Sequence, residues 1–267
     1  MRIRALVVAA TGAVALSALA VPAAQAAPAG PAVTFSNVKV NGGKNIVVGP
    51  TTKVTVAASY TVTKPAGLNA NSFITFPVLY RGATLSESTP DKDVWLGDEP
   101  GTCTASSRTV LKCTATVQFR PKATDMYGDL TNALAGAWKV GAAAIDDDGL
   151  TTGSNFGGIK LQRKSTLTAD ATPEPVKKGK TITVTGKLAR ANWDTDKYAG
   201  YSAQPVKLQF RKKGSSTYTT VKTVKSSTTG GLKATVTASV DGYYRFVFAG
   251  TSTTPAVSAA GDFVDVK

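Results

Sequence analysis

The sequence predicts an all-β protein, two β-sandwich modules in tandem behind an export signal. Three observations carry this. Apolar residues recur with period two along most of the chain, as on strands with one buried face. Thr, Val and Gly are abundant, and almost nothing after the first residues shows the period of a helix. Turn residues punctuate the strands at short intervals, which suits a sandwich better than a parallel sheet.

The chain of 267 residues opens with MRIRALVVAATGAVALSALAVPAAQA. Arg2 and Arg4 make a basic start, Ala5 to Val21 an apolar run, and Ala24-Gln25-Ala26 a small-x-small cleavage site. Residues 1–26 are read as a signal peptide. It contains no cysteine, which excludes a lipoprotein anchor at its end. No later stretch approaches the roughly 20 apolar residues of a spanning helix, so no transmembrane segment is expected. The expected location is outside the cell, secreted or loosely associated with the cell wall.

The first module is expected over 27–164. Val33, Phe35, Val38 and Val40 alternate with polar positions, with a slip at Ser36-Asn37 that fits a bulge. Val54, Val56, Ala58, Tyr60 and Val62 share a face. FITFPVLY is a further strand, and Pro77 places it at an edge or a bulge. Cys113, Ala115, Val117 and Phe119 line one side of KCTATVQF, and AWKVGAAAI and GGIKLQRK close the set. PKATDMYGDLTNAL reads as a polar loop with room for one helical turn.

The second module is expected over 165–267. In KTITVTGKL, Ile182, Val184 and Leu188 face inward, and Gly186 marks a bend or a close contact. PVKLQFRKK puts Val206, Leu208 and Phe210 inside and Lys207, Gln209 and Arg211 outside. Tyr244, Phe246 and Phe248 share the core face of GYYRFVFAG. KLQRKSTLTAD passes from one module to the next almost without a break, which predicts a stiff junction near Lys164 to Thr166.

Gly179 and Gly186 stand at the two ends of an opening strand, and Tyr244, Arg245, Phe248 and Gly250 fit Tyr-Arg-x-x-Phe-x-Gly. A Ser/Thr-rich loop and a final alternating strand follow. In these features the stretch 165–267 resembles the immunoglobulin-like repeats of bacterial secreted and surface proteins. The first module is more weakly similar, through GAWKVGAAAIDDDGL. The resemblance implies immunoglobulin-like sandwiches and no catalytic residues, since such repeats act as spacers, adhesin stalks or accessory modules.

Cys103 and Cys113 are the only cysteines. A close, even pair in an exported chain is expected to be a disulfide, near the mouth of a hairpin centred on Ser107-Arg108. A metal pair would lack partners, because the chain has no histidine.

IDDDGL, Ile145 to Leu150, can be a turn or a weak calcium site with Asp146 and Asp148 as ligands. With Gly149 at position 6 of an EF-type loop, Ala144 falls at position 1 and Asn155 at position 12. Both anchors are wrong for calcium, so a turn is expected and no metal or other cofactor. NWDTDKY repeats the question, and Lys197 stands where the loop needs glycine. Its Trp193 and Tyr198 either fold back on the sandwich or stay outside, where aromatic faces could stack on a sugar. STPDKDVWLGDEPGT gathers Asp91, Asp93, Asp98 and Glu99 beside Trp95, as a surface loop or an acid-lined cleft.

Catalysis is hard to build from this composition. Without histidine there is no Ser-His-Asp triad. No nucleophile elbow or phosphate-binding glycine loop occurs, and the only glutamates are Glu87, Glu99 and Glu174. No enzyme is expected. The formal net charge of +14 points to an anionic cell-wall polymer or polysaccharide, since export removes intracellular nucleic acid as a partner. The hairpin KLQFRKKGSSTYTTVKTVK would gather Lys207, Arg211, Lys212, Lys213, Lys222 and Lys225 into one exposed patch. Its role is edge protection or salt-sensitive adhesion. The expected function is that of a secreted, non-catalytic structural or interaction protein of the envelope or extracellular space. The alternative is a carbohydrate-binding accessory protein, and the third choice a hydrolase using an acidic pair.

Overall fold

The alternating side chains form strands with one buried face, and four sheets result. A computed structural model describes residues 30–121 and 130–267. The expected signal peptide and part of PKATDMYGDLTNAL lie outside the described residues. The first ten strands are β1 Thr34–Val40, β2 Ile46–Val48, β3 Val54–Thr63, β4 Ile74–Tyr80, β5 Val94–Leu96, β6 Thr102–Ala105, β7 Val110–Phe119, β8 Gly136–Ile145, β9 Leu150–Gly153 and β10 Gly158–Arg163. They make a sheet in the order β1-β3-β7-β6 and a second in the order β2-β10-β8-β4-β5, with β9 on β8.

These two sheets bury one core between them. Val56, Ala58, Tyr60 and Val62 of β3 and Val117 and Phe119 of β7 meet Trp138, Val140 and Ala142 of β8 and Leu161 of β10. The slip in β1 is a bulge: the register shifts between Ser36 and Lys39, and Asn37 has φ 54°. Pro77 pairs with Ala142 of β8, and the β4–β5 ladder begins only at Val78. The absent N–H of Pro77 therefore falls where β4 is locally an edge. Strand β8 is buried on both faces, because Ala143 packs with Phe76, Val78 and Tyr80 in a smaller cluster beneath β5 and the loop around Leu85. The run AAA suits a strand covered twice, a reading that alternation alone does not supply.

Ten further strands follow: β11 Ser165–Leu167, β12 Asp170–Thr172, β13 Thr181–Asn192, β14 Lys197–Gly200, β15 Pro205–Lys212, β16 Thr219–Lys225, β17 Gly231–Thr237, β18 Gly242–Phe248, β19 Val257–Ser258 and β20 Asp262–Val264. The long β13 pairs with β11, β12, β14 and β17, and β15 and β18 centre a sheet with β16, β19 and β20. Ile182, Val184 and Leu188 face Val206, Leu208, Tyr244, Phe246 and Phe248 across the second core. Full burial of one such aliphatic or phenyl side chain contributes about 1.5–3 kcal/mol. Phe210 is only half-buried, its ring tilted against Tyr244 at 4.8 Å near the sandwich end. Gly186 is a close contact: a Cβ there would stand 2.2 Å from Thr168 O and 2.9 Å from Phe246 Cδ2. The fold is all-β, with its sheets paired into two sandwich-like halves. No helix among the described residues is long and apolar enough to cross a membrane.

Candidate functional site

Cys103 and Cys113 stand directly opposite each other on β6 and β7 and are bonded, with Cα atoms 4.1 Å apart. The hairpin tip, Ser106 to Thr109, closes through Ser107, whose Oγ accepts from Thr109 N and Val110 N. Lys64 ties this tip to the next loop, donating to Arg108 O at 2.9 Å and Leu68 O at 2.7 Å. Beneath the bridge, Tyr60 Oη and Thr75 Oγ1 share a buried hydrogen bond of 2.8 Å between the two sheets.

IDDDGL forms the turn between β8 and β9. Asp146 Oδ1 accepts from Asp148 N and Gly149 N, both at 3.0 Å, and Gly149 has φ 150°. Asp146 thus caps its own backbone. No group of three metal-ligating side chains occurs among the described residues.

The acid-rich segment contains β5, a strand its polarity hides. Trp95 stacks on Phe119 at 5.5 Å and donates Nε1–H to Gln118 O at 3.0 Å. Asp98 accepts a two-pronged hydrogen bond from Arg120, with Nη1 to Oδ1 at 2.9 Å. The Arg120 guanidinium holds the Asp98 carboxyl below the usual carboxylate range. Asp98 therefore braces the loop against β7. Two open hollows, of about 440 and 570 Å³, lie on the first half; the former is lined by no carboxylate and the latter by Glu99 alone. Neither supplies the acidic pair that the hydrolase alternative requires.

NWDTDKY is a hairpin between β13 and β14, with Asn192 opposite Lys197. Its turn, Trp193 to Asp196, is a polar loop, with strand pairing at both ends. Its two aromatic residues part company, which corrects the sugar-stacking pair. Tyr198 is 42% exposed, whereas Trp193 is 2% exposed and sits in the core of the first half. Trp193 donates its Nε1–H to Gly49 O at 3.0 Å. Asn132 clasps the hairpin, donating Nδ2–H to Asn192 Oδ1 at 2.7 Å and N–H to Asp194 Oδ1 at 2.9 Å, and accepting from Trp193 N at 3.0 Å.

Arg163 lies in the same junction, 7% exposed, and donates from Nε to Ala191 O at 2.6 Å. Burial, and then the charge of Arg190, push its pKa down to about 10. Arg190 stacks 3.8 Å above the Tyr201 ring. Gln162 reaches Thr251 O at 2.9 Å and Ser165 Oγ reaches Pro255 O at 2.9 Å. No local pattern in the sequence marks Arg163 and Trp193, because their hydrogen-bond partners lie 28 and 144 positions away.

The β15–β16 register divides the expected lysine cluster. Lys207 and Arg211 project from the outer face, and Lys225, opposite Pro205, joins them there. Lys222 lies opposite Leu208, on the inner side, and donates to Thr235 O of β17 at 3.4 Å. Lys212, opposite Gly242, is exposed at the end of β15. Lys213 pairs with Asp241 at 3.5 Å. The Val266 N–H, followed by Lys213, holds the Asp241 carboxyl below its ordinary range. Arg211 is half-buried between Tyr218 and Tyr243, and Arg245 lies over Tyr218. The outward position of Tyr243 and Arg245 was readable from alternation; the contact of Arg245 with Tyr218 was not.

No protein-family model matches the chain, and no curated protein matches it. Solved structures resemble it only distantly. Dimeric latent PorU from Porphyromonas gingivalis aligns at 10% identity and a TM-score of 0.29, covering 88% of this chain and 20% of PorU. A three-immunoglobulin titin fragment, I67–I69, aligns at 12% and 0.33, covering 90% of this chain and 66% of the fragment. The D0-D1 domain of intimin aligns at 15% and 0.26, covering 86% and 98%. The fold assignment rests on the sheets and cores described above.

Proposed function

We propose that the chain is an exported, non-catalytic structural or interaction protein. Its two immunoglobulin-like sandwiches, 27–164 and 165–267, act as one stiff element at or outside the cell envelope. The observation that carries this reading is Trp193, which grows from the second sandwich and is buried in the core of the first. A flexible tether leaves its polar backbone in water. Here Lys164 N bonds Val48 O at 2.9 Å and Lys164 O accepts from Ala191 N at 2.8 Å. A stiff pair of sandwiches holds its two ends at a fixed spacing, which is the work of a spacer or stalk. The carbohydrate-binding alternative loses its central aromatic residue to this junction.

Small-angle scattering from the mature protein tests the reading. One fixed arrangement of the two halves is expected to fit the curve, and Trp193→Ala with Asn132→Ala is expected to broaden it into an ensemble. A wild-type curve that already demands many inter-module angles would overturn the stiff-element reading.

A further inference from the structure

We propose that the outer face of the β16-β15-β18-β20 sheet binds a linear phosphodiester polymer of polyol or sugar units, through Arg211 and Arg245. The proposal rests on the reading of the chain as an exported interaction protein, and it names the surface and the ligand chemistry. Lys207, Gln209 and Arg211 lie beside Val247, Arg245 and Tyr243, and Tyr243 lies beside Phe263. Their neighbours Val206, Leu208, Tyr244 and Phe246 fill the core, so this row faces outward.

Tyr218 organises the row. Its ring centroid is 3.7 Å from Arg245 Cζ and 5.2 Å from Arg211 Cζ, and Arg211 Cζ is also 4.1 Å from the Tyr243 ring. Room for Tyr218 comes from Gly261, where a Cβ would stand 2.3 Å from the Tyr218 Oη. Stacking holds planar guanidiniums in place. Each has one uncharged hydrogen-bond partner: Arg245 Nε donates to Gln209 Oε1 at 3.0 Å, and Arg211 Nη1 to Ser215 O at 2.6 Å. Neither arginine forms an ion pair among the described residues, and Asp241 is engaged by Lys213. Two oriented, uncompensated guanidinium forks remain.

A guanidinium fork matches two oxygens of one oxyanion. A phosphodiester offers two such oxygens and stays ionised over the physiological range. Lys207 extends the cationic row along β15. At about 3.4 Å per residue it stands about 14 Å from Arg211, so an extended chain with repeated charges meets both and a single phosphate does not. The Tyr243 and Phe263 rings, 5.2 Å apart, lie under Arg211 and Lys213 and support that end of the cationic row.

The test is binding of polyglycerol phosphate to the mature protein, measured by calorimetry across a salt series. Binding at low salt that weakens as salt rises is expected. Arg211→Lys with Arg245→Lys keeps the charge but removes both forks, and is expected to weaken binding at least tenfold with the melting curve retained. Lys222→Glu, on the other side of the sheet, is expected to change affinity less than twofold. Wild-type affinity in the double-lysine variant would overturn the proposal, as would equal losses in the Lys222 variant. Equal binding of polygalacturonate would also overturn it, by showing that the face does not distinguish a phosphodiester from a carboxylate. Absence of any binding would remove this face as a site while leaving the stiff-element reading to scattering.

Discussion

Asp98 illustrates how one side chain changes meaning between sequence and structure. In the sequence it belongs to a run of acids beside a tryptophan; in the fold it is the acceptor for Arg120, one residue past the end of β7, and is 14% exposed. A charged hydrogen bond of this kind contributes about 1.5–3 kcal/mol when well shielded and less near solvent. Asp98→Asn is expected to lower stability by about 1 kcal/mol at pH 7, read as the midpoint of a urea melt. The pH dependence has a definite sign. The folded carboxyl is held below its ordinary value, first by hydrogen bonds from Arg120. Its contribution is complete above the unfolded pKa of about 3.9 and disappears as pH falls through the lowered folded value. The gap between wild type and Asp98→Asn is therefore expected to close in acid. A gap that stays constant from neutral pH to about pH 2 would exclude this pair as its source. The same contrast explains what was legible. The alternation of β3, β7, β15 and β18 reads directly, since period two is a local property. The partners of Asp98 and Trp193 do not, because contacts across 22 and 144 positions leave no local pattern.

The hairpins mark how far element-level reading reaches. The β6–β7 hairpin was legible in the close spacing of Cys103 and Cys113, and the structure adds that the two are direct cross-strand neighbours. Replacing both by Ser is expected to cost about 2–3 kcal/mol, seen as a lower melting temperature that matches that of the reduced wild type. A reduced wild type that melts with the oxidised one would contradict this. The β8–β9 turn was also legible, because the ligand positions of a calcium loop could be checked one by one. With Asp146 Oδ1 already taken by two backbone N–H groups, calorimetric titration with micromolar calcium is expected to give no binding. A stoichiometric site abolished by Asp146→Ala would reverse the assignment. The β13–β14 hairpin was not legible: Asn192, Asp194 and Asp196 look like a solvated loop. The strands form because Trp193 and the Asn132 clasp fix the turn from outside, so a tertiary contact outweighs weak local propensity.

At the scale of the whole molecule, the junction decides whether two sandwiches behave as one. It contains a costly element. Arg163 is almost fully buried, and the fall of its pKa to about 10 records the penalty on its charge. Buried charges of this type are poor sources of stability, but they constrain geometry because their hydrogen bonds permit few alternatives. Stability at the junction comes instead from Trp193. An aromatic side chain of this size buries about 150–250 Å², and its truncation to alanine costs about 3–5 kcal/mol. That loss falls unevenly. Trp193→Ala opens a cavity in the first core while leaving Ile182, Val184, Leu188 and Phe246 of the second untouched. If Trp193 couples the halves, wild-type protein is expected to unfold in one calorimetric transition, with calorimetric and van't Hoff enthalpies equal. Trp193→Ala is expected to split it, with the first sandwich melting earlier and the second near the original temperature. Two resolved transitions in the wild type would show that the sandwiches unfold independently and that Trp193 serves only the core into which it inserts.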